Sequence, residues 1–214
     1  MDTNIVEILV SFVVLVFSLT VHESAHAWAA DRLGDPTARS LGRVSLNPMV
    51  HIDPIGTVLF PLVGMFTRAP LIGWAKPVPV AVWRFANPRR DYLLVAAAGP
   101  VSNLSLAFIG AVALRLVGPG TDAAGGVGAG LLAPIVVIAW SLLSINLLLA
   151  IFNLLPIPPL DGSTVLAGLL PERFAAGIDR LRPYGFVLLY ALMLSGAFRV
   201  VVGTPYNHLL SWLL

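Results

Sequence analysis

Cysteine is absent from the 214 residues, so the chain can form no disulfide framework, offer no thiolate nucleophile and build no iron–sulfur or cysteine-based zinc site. Charge is scarce too. Only 11% of residues are Asp, Glu, Lys or Arg, against about 25% in soluble globular chains. The net charge is +2 with the bases scattered along the chain, which argues against a nucleic-acid partner. Internal repeats are missing, and the one low-complexity tract is a glycine-rich stretch at 118–130. What is abundant is hydrophobic residue, 57% of the total, with a mean hydropathy of +0.88. No water-soluble surface can be made from that composition. The chain reads as one integral-membrane domain over residues 1–214, in contact with lipid, and any metal site in it must draw on His, Asp and Glu.

A straight crossing of the bilayer needs about 20 apolar residues. Four runs meet that length: residues 5–30, 93–117, 131–155 and 185–203, the last interrupted by Arg199. No Lys or Arg precedes the first run, so it reads as a retained helix rather than a signal peptide. Residues 54–66 are apolar but too short for a straight span, which suits a re-entrant or partial helix. Residues 209–214 are too short to cross. The glycine-rich stretch at 118–130 reads as a flexible loop. Alternation in 39–46, and Pro77 and Pro79 within 74–82, suggest short extended strands beside the membrane. The expected fold is an all-α polytopic membrane protein: about four long helices, one short re-entrant helix and short membrane-associated strands.

Basic residues orient the chain. With the N-terminus outside and 54–66 not crossing, the cytoplasmic segments hold Arg32, Arg39 and Arg43, then Arg68, Lys76, Arg84, Arg89 and Arg90, then Arg173, Arg180 and Arg182. Only Arg115 and Arg199 fall near the outer side. Residues 31–53, 68–90 and 171–183 are therefore assigned to the cytoplasm and 118–130 to the outside. The first and third long helices then run the same way and end at the same face.

The first apolar run closes with His22-Glu23-Ser24-Ala25-His26. Residues i and i+4 share a helical face, so both imidazoles can reach one ion, with the carboxylate of Glu23 beside them. Three ionisable groups in an apolar helix are costly without such a purpose. A catalytic zinc needs a third protein ligand and one open position. His51, His208 and several carboxylates are available, and Asp161 is the best placed. It lies in Asn153-Leu154-Leu155-Pro156-Ile157-Pro158-Pro159-Leu160-Asp161-Gly162, after the third run and at the face where the first helix ends. The three prolines break the helix, and such a break is tolerated only within protein or beside a wet cavity. His51 and Asp53 read as loop hydrogen-bonding residues. Glu7 sits at the far end of the first helix, roughly 24 Å from Glu23, and cannot share the site.

Together, HESAH on a membrane helix and NLLPIPPLDG after a later one resemble the site-2 protease family of intramembrane zinc metalloproteases. AAAGPVSN at 96–103, LNPMVHIDPIG and GWAKPVPV extend the resemblance to most of the chain, and specifically to the compact branch without PDZ or CBS domains. The resemblance implies His22, His26 and Asp161 as ligands of one Zn2+ per chain and Glu23 as the catalytic carboxylate. It also implies that Asn153 binds substrate backbone or stabilises the oxyanion. Asn103 matches a motif residue whose role reads equally as a helix-packing hydrogen bond. The function implied is cleavage of transmembrane segments of substrate proteins at the cytoplasmic side of the cell membrane, with residues 39–46 and 74–82 offering a strand edge to an unwound substrate. The rival readings are a membrane metal transporter and a non-catalytic metal-binding homologue. Transport would not need Glu23 beside paired histidines, and the outer halves of the helices carry almost no polar pathway.

Overall fold

A computed structural model of the chain describes residues 5–67, 73–123 and 127–214. Three helices are long and apolar enough to cross a membrane: α1 (Ile5–Arg32), α4 (Pro88–Ala123) and α5 (Val127–Asn153). Between α1 and α4 lie a single turn, α2 (Thr37–Ser40), and a short apolar helix, α3 (Phe60–Thr67), entered through a π-helical turn at Pro54–Leu59. After α5 come α6 (Asp161–Leu169), α7 (Glu172–Leu181), α8 (Gly185–Leu194) and α9 (Thr204–Leu213).

The three long helices form the scaffold. Neither Gly nor Pro interrupts α1, and its hydroxyls bond back along the helix, Ser18 to Val14 O and Thr20 to Val16 O. Bonds of this kind satisfy hydroxyl groups within the helix itself, as a span requires. Helix α4 packs antiparallel to both α1 and α5: His26 meets Val95, Asn103 meets Asn146, and Gly110 meets Ala139 and Leu143. Hence α1 and α5 run in parallel. Close approach of α4 to α5 depends on small residues, since lipid provides no hydrophobic drive between helices. A Cβ on Gly110 would lie 2.7 Å from Leu143 N and 2.8 Å from Ala139 O. Ala107, Ala111, Leu143, Leu147 and Ile151 form the core there, continued by Leu160, Leu189 and Val202 from the later helices.

The segment from Gly73 to Ala81 is extended but is not a strand. Its amides bond to scattered partners: Trp74 N–H to Gly56 O, Lys76 N–H to His51 O, Val78 N–H to Glu23 Oε2 and Ala81 N–H to Asp35 Oδ2. Pro77 and Pro79 remove two donors from the alternate positions, and Ala75 N–H remains there. The strand expected at 39–46 is instead the α2 turn followed by Gly42 at φ +67. Its apparent alternation has another cause: Arg43 is buried, donating to Lys76 O and Pro77 O at 2.8 and 2.9 Å. Among the described residues there is no β-strand.

Two further expectations change. The glycine-rich stretch is not a loop over its described part, since α4 runs to Ala123 and α5 resumes at Val127; residues 124–126 lie outside the described residues. A backbone that bonds to itself as helix leaves fewer groups unsatisfied in an apolar setting than a loop does. The fourth apolar run is broken rather than straight. The chain turns at Ser195 and Gly196, the latter at φ +75, and the helices on either side are bent by 83°.

Asp35 ties the end of α1 to the extended segment. It is fully buried and accepts from the Thr37 hydroxyl, Thr37 N–H and Ala81 N–H. Burial alone would raise its carboxyl pKa, but these bonds and Arg84 hold it below the usual carboxylate value.

Candidate metal centre

The last turns of α1 bring His22 and His26 edge to face, with ring centroids 4.6 Å apart. Their Nε2 atoms are 3.0 Å from each other. Asp161 Oδ2 completes a triangle, at 3.1 Å from His22 Nε2 and 3.4 Å from His26 Nε2. Asp161 gets there because α5 stops at Asn153 and the Pro-rich turn restarts the chain as α6 with Asp161 as its first residue. Gly162 follows of necessity: a Cβ there would overlap Leu154 O and lie 2.5 Å from Leu155 O.

The chemistry of the triangle follows from what the other ring nitrogens do. His26 Nδ1 is 2.8 Å from Val95 O, and a carbonyl can only accept, so Nδ1 carries the proton. His22 Nδ1 donates likewise to Asn103 Oδ1 at 2.5 Å. With the proton on Nδ1, the Nε2 of each ring is left for a ligand and faces inward, toward a carboxylate oxygen. Asp161 Oδ2 is itself buried without a hydrogen-bond partner. Three facing acceptors repel unless a cation sits among them. Zinc bonded at about 2.0–2.1 Å in a tetrahedron has ligand atoms about 3.3 Å apart, which fits edges of 3.0, 3.1 and 3.4 Å. The donor set fits the ion.

Glu23 stands beside this cluster, with a carboxylate oxygen within 4.8 Å of the ligand atoms of both histidines. Its Oε2 accepts from Val78 N–H at 3.1 Å. Room for the histidines is made by Gly99 on α4, where a Cβ would overlap His26 Nε2 and lie 2.6 Å from His22 Nε2. A cavity of about 480 Å³ opens from the cluster, lined among others by Glu23, Trp74, Val78, Asn153, Asp161 and Phe186.

Of the residues singled out in the sequence, His22, Glu23, His26, Asp161 and Asn153 thus surround one cavity. Asn153 ends α5, with its Nδ2 bonded to Leu149 O at 3.0 Å. His51 is buried apart from the triangle, its Nε2 2.9 Å from Ser45 O and 3.3 Å from Ser24 Oγ. Asp53 caps the π-helical turn through Ile55 N–H and Gly56 N–H. His208 is exposed on α9. Sequence reading overlooked Gly99, Ser18, Asn146 and the Val78 amide. Ser18 and His22 are four residues apart on α1, and Asn146 lies seven before Asn153, so helical spacing was a usable signal for both.

The sequence model described as peptidase family M50 matches residues 127–195, the stretch carrying α5, the Pro-rich break and Asp161. The chain is 40% identical over 184 residues to the Bacillus subtilis protein named "Putative zinc metalloprotease YwhC", covering 86% of this chain and 79% of that one. It is 31% identical over 183 residues to the Mycobacterium tuberculosis protein named "Putative zinc metalloprotease Rip2", covering 83% and 64%. With "Putative zinc metalloprotease Rip3" of the same species it shares 32% over 196 residues, covering 89% and 39%. The chain therefore spans less than two thirds of the Rip2 and Rip3 chains. No solved structure matches it.

Proposed function

The chain belongs to peptidase family M50, and from that premise we propose that it is an intramembrane zinc endopeptidase, cutting peptide bonds within or near transmembrane segments of membrane proteins at the cytoplasmic side of the cell membrane. The observation that carries this reading is the inward triangle of His22 Nε2, His26 Nε2 and Asp161 Oδ2 with the Glu23 carboxylate alongside. These three residues would hold one zinc per chain. Bound there, the ion supplies Lewis acidity that acidifies a water and polarises a scissile carbonyl.

The chain's own groups do the rest. Glu23 is not a ligand in this scheme; its carboxylate takes the proton of the attacking water and returns it to the leaving nitrogen. Val78 N–H, bonded to Glu23 Oε2, holds that carboxylate at the cavity wall. Asn153 lines the same wall and offers an amide to substrate backbone. A helical substrate hides its carbonyls, so the segment that is cut must be unwound. The extended residues 73–80 are the edge it would pair with. Trp74, Lys76 and Val78 commit their amides inward, and Pro77 and Pro79 have none, so Ala75 N–H is the donor on the alternate positions.

The test is cleavage of purified single-span substrates, with and without a zinc chelator. Loss of cleavage on chelation, with recovery on adding zinc, is the expected result. Cleavage that persists in metal-free protein would overturn the reading.

A further inference from the structure

The deepest polar groups in the scaffold form a single directed chain that ends on a residue of the metal centre. Asn146 on α5 donates through Nδ2 to Leu142 O and to Ser18 Oγ, both at 2.8 Å. Leu142 O is a backbone carbonyl and accepts only, so the Asn146 amide has one orientation. Its Oδ1 must then face α4, where it accepts from Asn103 Nδ2 at 2.8 Å. That in turn leaves Asn103 Oδ1, and not Nδ2, against His22 Nδ1 at 2.5 Å. Asn103, Asn146 and Ser18 are each 0% exposed, so water cannot replace any link.

We propose that Asn146, acting through Asn103, is a positioning residue for the metal centre: it sets the Asn103 amide so that only an Nδ1–H tautomer of His22 is accepted, which aims the Nε2 lone pair at the ion. This rests on the reading of the site given above and extends it to a residue that touches neither the ion nor its ligands. An Asn103 amide turned over would present N–H to His22 Nδ1. The ring would then carry its proton on Nε2, facing the metal position. Groups that orient a metal-bound histidine in this way are typically worth about 10–100-fold in metal affinity.

The experiment measures zinc affinity of the full chain in detergent by chelator competition, with the cobalt absorption spectrum as a second readout independent of cleavage. Asn146→Ala should weaken zinc binding by about 10–100-fold and alter the cobalt spectrum. Asn103→Asp offers His22 an acceptor in either orientation but sets a carboxylate oxygen against Asn146 Oδ1, so its affinity serves as the reference for a second substitution. The decisive case is the double variant. In the Asn103→Asp background, Asn146→Ala should no longer weaken zinc binding, since nothing is left to orient and the contact between two acceptors is relieved. Unchanged zinc affinity in Asn146→Ala, or an Asn146→Ala loss that persists in the double variant, would each overturn the proposal. The two readings fail separately: zinc binding without cleavage sinks the protease assignment alone, and insensitivity to Asn146 sinks the relay alone.

Discussion

Replacing Gly99 by Ala adds one methyl group where the two imidazoles converge. The added Cβ would lie 2.6 Å from His22 Nε2 and 2.5 Å from His22 Cε1, and would overlap His26 Nε2. Neither ring can slide aside freely, because His22 Nδ1 is held by Asn103 and His26 Nδ1 by Val95 O. Overpacking of this kind costs about 1–3 kcal/mol. Without metal, a ring can swing away at the loss of one hydrogen bond; with metal, both lone pairs must stay converged. The strain therefore falls mainly on the metal-bound state, and zinc should bind roughly 5- to 150-fold more weakly. Two other glycines serve as controls. A Cβ on Gly110 meets only the α5 backbone, so Gly110→Ala should lower the melting temperature in detergent and leave zinc affinity alone. Gly177, on α7, has nothing within 4 Å of an added Cβ, and Gly177→Ala should stabilise slightly, by up to about 1 kcal/mol. Chelator competition and thermal melting of the three variants decide the matter. Wild-type zinc affinity in Gly99→Ala would refute the geometry described for the site.

Glu23→Gln keeps the shape of the side chain but removes the base, so zinc content should stay at one per chain while cleavage falls by about 10²–10⁴-fold. Asp161→Asn removes an anionic ligand, and zinc content and cleavage should fall together; metal analysis with a cleavage assay separates the two patterns. Ala75→Pro deletes the donor on the outer positions of the extended segment, and should raise KM for an unwound substrate with zinc content unchanged. His51 has its pKa pushed below the usual histidine value by burial and by Arg43, against the bond to Ser45 O. The unfolded chain therefore binds the proton more readily. Stability should be complete above the unfolded value of about 6.5 and decline as pH falls below it. The melting temperature of the unaltered chain should therefore fall with pH across that range, and that of His51→Gln should fall less steeply.

The long helices were legible because each is an uninterrupted apolar run, and period and length alone separate such runs from anything else. His22, Glu23 and His26 were legible because their spacing is local. Asp161 was legible because three prolines so soon after an apolar helix demand a protein-lined setting. The errors arose where a local pattern had a long-range cause. Alternation around Arg43 looked like a strand, but that arginine is buried to hold carbonyls thirty-odd residues away. Residues 74–82 read as an extended strand. The chain is extended from Gly73 to Ala81 without being a strand, and its amides go to two side-chain carboxylates and two backbone carbonyls, which no pairing rule foretells. Residues 185–203 are apolar apart from Ser195 and Arg199, so their hydropathy does not mark the turn at Gly196. Asn146 was invisible for a related reason. A lone amide among leucines has no meaning until Asn103 and Ser18 are known to face it.

The triangle of His22, His26 and Asp161 also imposes an order on the making of the protein. Both histidines leave the ribosome ahead of α4 and α5, while Asp161 follows only after those two helices have been synthesised. At about 5–20 residues per second that interval is on the order of ten seconds. A nascent chain holding α1 alone has two imidazoles with only Glu23 of the same helix beside them; Asp161 and the Gly99 recess that receives them are still unmade. The cutting centre thus comes into being only when α4 has threaded back against α1 and α5 has delivered the Pro-rich turn. Under the function proposed above, any helix that shares the bilayer with a half-made chain would meet no complete site.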